Sequence, residues 1–214
     1  MRALRPWLWS ALACAVLVGL SVAFLDRPIA RFSHDAIGGG PVFLDLTMIP
    51  ARFDPVSVLL VVACGLVAIG RGRLAGTGRI LLLAALSYIV GIAVKNELKF
   101  VFGRTWPETW VHNNPSFIGT GAYGFHFFHG GAGWASFPSG HTTAITSVMA
   151  VLWLMMPRWR PLWAGLAVAV AVGLLGMDYH FLGDIIAGGF LGTAVGVGTV
   201  RIAGREAAGA AGGD

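Results

Sequence analysis

Six apolar runs, separated by polar breaks, set the pattern of this chain. They cover Trp7 to Leu25, Pro55 to Gly70, Ile80 to about Val94, His141 to Met156, Leu162 to Met177 and Ile185 to Ile202. Runs of this kind suit membrane-spanning helices, at ~20 residues per span. The pattern predicts an all-α fold: a polytopic membrane bundle of about six transmembrane helices. One domain over residues 1–204 accounts for all six runs, and the small, Gly/Ala-rich stretch 205–214 reads as a disordered tail. The first run is long, and Val22-Ala23-Phe24-Leu25-Asp26 makes a poor small-residue cleavage site, so a retained span is expected rather than a signal peptide.

The polar breaks are less regular. Asp26 to Asp54 mixes short apolar pieces with Gly38-Gly39-Gly40, which is too broken to span and fits a lid or interfacial segment. The third run leads into Lys95-Asn96-Glu97-Leu98-Lys99-Phe100-Val101-Phe102, where Gly103 breaks the helix. A long polar segment, Arg104 to Pro138, carries Trp106, Trp110 and Trp134 and three of the six histidines. Asp178 to Gly183 precedes Asp184 and the last run.

Composition agrees with the pattern. Hydrophobic residues make up 56% of the 214 and charged residues 12%, about half the share in a soluble domain, with mean hydropathy +0.74. The net charge of +5 and pI of about 9.9 do not point to nucleic acid, because the basic residues sit at the ends of apolar runs. Arg2, Arg5, Arg71, Arg73, Arg79, Arg158, Arg160, Arg201 and Arg205 gather on one set of ends. Under the positive-inside rule both termini are cytoplasmic, and the segments 26–54, 95–138 and 178–184 share the outer face. Trp7, Trp9, Trp153, Trp159 and Trp163 fit an aromatic belt at the inner face. Cys14 and Cys64 lie inside apolar runs and read as packing residues. Gly188, Gly192 and Gly196 form a small-residue stripe that suits close packing within the bundle or, alternatively, a homodimer contact.

The candidate chemistry falls on the outer side. Pro138-Ser139-Gly140-His141 opens the fourth run, and a helix start offers unpaired N–H groups and the positive end of the helix dipole to an anion. Ser139 adds a hydroxyl, Gly140 permits close approach to the backbone, and His141 titrates near neutral pH. His180 and Asp184 are four apart, so on a helix the carboxylate can hold one imidazole nitrogen and leave the other free as nucleophile or base. Asp184 has the plainer reading of a helix cap, and Lys99 and Arg104 that of cations snorkelling to the headgroups. Taken together, two histidines, a carboxylate and two cations beside a helix start suggest phosphoryl transfer through a phosphohistidine. No metal or other cofactor is called for; a zinc reading of His126 and His129 needs further ligands. A serine-hydrolase reading of Ser139, His180 and Asp184 lacks the Gly-x-Ser-x-Gly elbow.

These pieces, in this order, resemble the type 2 phosphatidic acid phosphatase and vanadium haloperoxidase superfamily over roughly residues 80 to 200. Its signature is Lys-x6-Arg-Pro, then Pro-Ser-Gly-His, then Ser-Arg-x5-His-x3-Asp. Pro138-Ser139-Gly140-His141 matches the second part, His180-x3-Asp184 the end of the third, and Lys99 and Pro107 bracket the first. The resemblance implies that His180 attacks phosphorus, Asp184 orients it, and His141 protonates the leaving oxygen. It also implies that Lys99, Ser139 and Gly140 hold the phosphate, on a lipid phosphate or diphosphate. Trp106 stands where the first signature arginine is expected, and Gly173-Leu174 where Ser-Arg is expected. Arg104 is the expected stand-in, with Lys95 or a cation from 26–54 as alternatives. The expected protein is a metal-independent lipid phosphatase of the bacterial inner membrane, its site facing the periplasm or outside. The rival readings are a lipid-to-lipid phosphotransferase, a non-catalytic binder of anionic lipid headgroups and a vanadate-dependent peroxidase.

Overall fold

The computed structural model describes residues 5–72, 74, 76–110 and 113–211, with side chains described as far as residue 204. The fold is all-helical among the described residues, with isolated bridges in place of a sheet. Among the described residues, five helices are long and apolar enough to cross a membrane, and Gly140–Met155 is a shorter apolar helix beside them.

The first helix departs from the sequence reading. α1 (Arg5–Leu20) does not stop near Leu25 but continues through a π-helical turn (Ser21–Leu25) into α2 (Asp26–Phe32) and on to Ile37. Pro28 explains the π turn: its ring crowds the carbonyl four residues back, that of Phe24, and widening the turn there relieves the crowding. The half of the helix after Asp26 is too polar to register as span by hydropathy, yet it is one rod. α3 (Pro41–Thr47) follows, and Pro50–Arg52 leads into α4 (Phe53–Arg71).

α5 (Gly76–Phe102) ends at Gly103, whose φ is +52° and whose missing Cβ leaves room for the His126 carbonyl. A side chain there would overlap that oxygen, so only glycine turns the chain here and aims Arg104 into the protein. The one-turn helix α6 (Phe117–Thr120) lies in the long outer loop. α7 (Gly140–Met155), α8 (Arg160–Gly176) and α9 (Leu182–Ala211) complete the bundle. α9 runs on into the stretch expected as a disordered tail, of which residues 212–214 lie outside the described residues.

α7 is the central helix, packed against α5, α8 and most closely α9. Gly188, Gly192 and Gly196 face the Ser139, Thr143 and Ser147 carbonyls of α7, and a Cβ at any of them would collide with that helix. The stripe is therefore consumed inside the bundle, which corrects the alternative of a homodimer contact through it. The α7 hydroxyls stay satisfied on their own turn, Thr143 to the Ser139 carbonyl at 2.8 Å and Thr146 to that of Thr142 at 2.7 Å. The core around this axis includes Tyr88, Ile145, Val151, Val170, Leu174 and Ile185.

Candidate functional site

The close α7–α9 contact fixes the site, because it ties the two helix starts together: the Ser139 N–H donates to the Asp184 carbonyl at 3.0 Å. His180, just before α9, and His141, in the first turn of α7, come to a ring-centroid separation of 6.5 Å. Both line a cavity of about 470 Å3 with Lys95, Lys99, Trp106 and Gly140. Its other walls are Trp110, Tyr179, Tyr88, Ile92, Ala144, Pro50 and Ala51. The lysines and imidazoles thus share the cavity with apolar and aromatic side chains from α5 and from the turn before α4. The segments 26–54, 95–138 and 178–184 do share one end of the bundle.

Asp184 is held on every side. Its Oδ2 accepts from the Ser136 hydroxyl at 2.6 Å and the Phe181 N–H at 3.0 Å, and it lies 3.4 Å from His180 Nδ1. Its Oδ1 pairs with Arg104 at 2.5 Å. With Nδ1 turned to Asp184, the Nε2 edge of His180 is the one left for the cavity. Burial lowers the His180 pKa, against the pull of Asp184, and so favours the neutral ring.

The expected phosphate ligands divide into two groups. Lys99 and Gly140 line the cavity; the Lys99 ammonium donates to the Ala135 carbonyl and sits 5.2 Å above the Trp106 ring. Arg104 and Ser139 are fully buried and do not line it. Ser139 caps α7, accepting from Thr142 N at 3.4 Å and from the Thr142 hydroxyl at 3.0 Å. Arg104 is clamped between Asp184 and Asp26, each at 2.5 Å, inside a cage of Phe125, Phe181 and Tyr123. Burial works against its charge, but the two carboxylates prevail and raise its pKa. A guanidinium so enclosed has no edge turned to the cavity, which corrects the expectation that Arg104 takes a phosphate-binding place.

The alternative stand-in that does face the cavity, beside Lys99, is Lys95, one turn before it. A Cβ on Gly140 would lie 3.1 Å from Lys95 Cδ and 3.3 Å from its Nζ, so this ammonium rests over the start of α7. There the Gly140 and His141 N–H groups have no helical carbonyl to bond. The positions of the two missing arginines are filled differently. Trp106 forms a wall against His180, with ring centroids 5.1 Å apart, and donates its Nε1–H to the Ala132 carbonyl at 2.8 Å. Leu174 is in the core, and Gly173 lies under α3, where any Cβ would press on Leu46 and Thr47.

Asp26, Ser136 and Tyr123 were not singled out from the sequence. Asp26 carried a signal: it is an acid inside what proves to be a 33-residue helix, and ionisable groups in such helices are paired or functional. His126 and His129 both pack on the ring of Trp134, at 4.2 and 4.3 Å.

The family model of the PAP2 superfamily matches residues 80–207. Lipid A 1-phosphatases of Rhizobium etli and Rhizobium johnstonii are 32% and 31% identical over 93 residues, or 44% of this chain. The matched stretch spans only 37% and 35% of those proteins. A crystal structure of a transmembrane PAP2-type phosphatidylglycerolphosphate phosphatase from Bacillus subtilis has the same fold. It superposes with a TM-score of 0.57 at 16% identity, covering 93% of this chain and 94% of that one.

Proposed function

From the premise that this chain belongs to the PAP2 superfamily, we propose that it is an integral-membrane lipid phosphatase working through a phosphohistidine. The observation that carries this reading is one cavity lined by two imidazoles, two lysines and apolar and aromatic walls. Such a cavity suits an amphiphile with a phosphate headgroup.

The steps follow from the contacts. Phosphate oxygens bind Lys99, Lys95 and the N–H groups that open α7, where the helix dipole adds to the attraction. His180 Nε2 attacks phosphorus while its Nδ1–H stays on Asp184, which stabilises the positive charge gained by the ring. The bond from phosphorus to the leaving oxygen breaks, and His141, entering the step protonated, gives that oxygen its proton. A water then attacks the phosphohistidine, losing a proton to the now neutral His141, and His180 is released with phosphate. Lys95 takes the place we assign to the lost signature arginine. Ser139 and Arg104 act from behind the wall, Ser139 by capping α7 and Arg104 through Asp184. The substrate class is a lipid phosphomonoester or diphosphate, and the names of the relatives place lipid A and phosphatidylglycerol phosphate among the first to try. The setting expected for the site is the outer face of a bacterial inner membrane.

The test is phosphate release by the purified protein from a panel of phosphatidic acid, phosphatidylglycerol phosphate, a polyprenyl diphosphate and lipid A, beside His180→Ala. Release from at least one lipid, lost in the variant, is expected. A folded protein that releases phosphate from none, or a His180→Ala protein of native activity, overturns the reading. Attack needs His180 neutral and departure of the leaving oxygen needs His141 protonated, so kcat/KM should be bell-shaped in pH, and burial of His180 should set the acid limb below the ordinary imidazole midpoint of about 6.5. An acid limb with its half-fall at 6.5 or above contradicts that assignment.

A further inference from the structure

Asp26 lies outside the residues matched by the family and makes no contact with the cavity, yet it is fully buried and has four partners. Its Oδ2 pairs with Arg104 at 2.5 Å and accepts from Tyr123 at 3.4 Å. Its Oδ1 accepts from Ser21 at 2.6 Å and from the Gly183 N–H at 2.9 Å. Arg104 in turn reaches Asp184, the partner of His180. Three charges, two negative and one positive, are thus packed in a chain that ends at the reacting imidazole.

Replacing buried ion pairs by apolar packing often costs nothing, so the trio needs a reason beyond stability. Charge supplies one. When His180 attacks phosphorus its ring becomes cationic, and the other groups facing it from neighbouring elements include Lys99 on α5, His141 on α7, the Trp106 ring and the Ser136 hydroxyl, 3.4 Å from its Nδ1. Arg104 alone beside Asp184 would cancel the carboxylate that must meet this charge. With Asp26 on its far side, Arg104 is neutralised from behind while still fixing one oxygen of Asp184.

We propose that Asp26 and Arg104 are positioning residues for phosphoryl transfer: Arg104 locks the orientation of Asp184, and Asp26 offsets the guanidinium so that the trio presents net negative charge to His180. This rests on the phosphatase reading above. It also gives the first helix a part in the chemistry.

The test uses the full chain in detergent micelles and two readouts. One is kcat and KM on phosphatidic acid in mixed micelles. The other is the midpoint of the His180 resonance in histidine-labelled protein, assigned with His180→Asn. Asp26→Asn should lower kcat ten- to a hundredfold with KM within twofold, and should move the His180 midpoint to lower pH. Arg104→Lys keeps a charge but cannot bridge two carboxylates in the same plane, and should not restore native kcat. If Asp26→Asn fails to fold, Ser21→Ala removes one of the two donors to Asp26 Oδ1 and should lower kcat two- to fivefold. Native kcat in either Asp26→Asn or Arg104→Lys overturns the proposal. So does a fall in kcat with an unmoved His180 midpoint, which marks a purely structural role. If the native protein hydrolyses no phosphatidic acid, the midpoint shift alone decides, and the phosphatase reading is judged separately by the wider lipid panel.

Discussion

Two carboxylate clusters join the first helix to the start of α9. In the inner one, Asp26 reaches Asp184 through Arg104, all three at 0% exposure. In the outer one, further along the same helix, His34 lies 3.2 Å from Glu108 and 3.6 Å from Asp178, with side-chain exposures of 45%, 20% and 9%. The inner cluster is caged by aromatic rings and fixes its geometry; the outer one is reached by water and can exchange partners. Burial, rather than the number of charges, decides which cluster the fold and the chemistry depend on.

Arg104→Gln should sharpen this most. It leaves two carboxylates facing each other in the interior, and breaking a buried pair costs about 3–5 kcal/mol. Thermal unfolding of the purified protein in micelles should show the loss, and an equal loss for His34→Gln would erase the distinction. Gly183→Ala is the next largest. A Cβ there would stand 3.1 Å from Asp26 Oδ2 and 3.4 Å from the Arg104 guanidinium, tight enough to shift both. We expect kcat to fall roughly tenfold, a loss of about 1.4 kcal/mol in transition-state stabilisation, with KM little changed. Native kcat would mean the trio tolerates displacement.

A smaller effect separates the clusters by pH. Burial and the neighbouring Glu108 raise the Asp178 carboxyl to about 6, with His34 opposing. A carboxyl raised in the fold contributes stability fully below its unfolded pKa, near 3.8, and loses it as pH rises through about 6. Between pH 4 and 7 the native protein should therefore lose melting temperature relative to Asp178→Asn, by roughly a few degrees. Parallel curves would place Asp178 among ordinary surface acids. The smallest expected effect is that of His34→Gln at pH 7, within about 1 kcal/mol of native stability as befits an exposed pair. Its kcat should stay within twofold, and a larger fall would carry the outer cluster into the chemistry.

The bundle and the meeting of His141, His180 and Asp184 were legible in the sequence because each rests on local pattern. Apolar runs give spans, and Pro138-Ser139-Gly140-His141 and His180-x3-Asp184 carry their own spacing. What was not legible depends on distant packing. Hydropathy hid the continuation of α1 into α2, since Asp26, Arg27 and Arg31 dilute the run although the helix persists. Arg104 looked like a spare cation near Lys99; its partner Asp26 is 78 residues away, and only the α1–α9 packing reveals the pair. Leu174 looked like a lost ligand, and the structure gives the reason: α3 lies across Gly173 and α8 turns Leu174 into the core.

The most direct measurement is trapping of the protein with a lipid carrying labelled phosphate, quenched in alkaline detergent. The account predicts label on the native protein, stable to alkali and labile to acid as a phosphohistidine is, and its absence from His180→Ala. A protein that turns over its lipid with no label on His180, or one whose label survives the loss of His180, would contradict it.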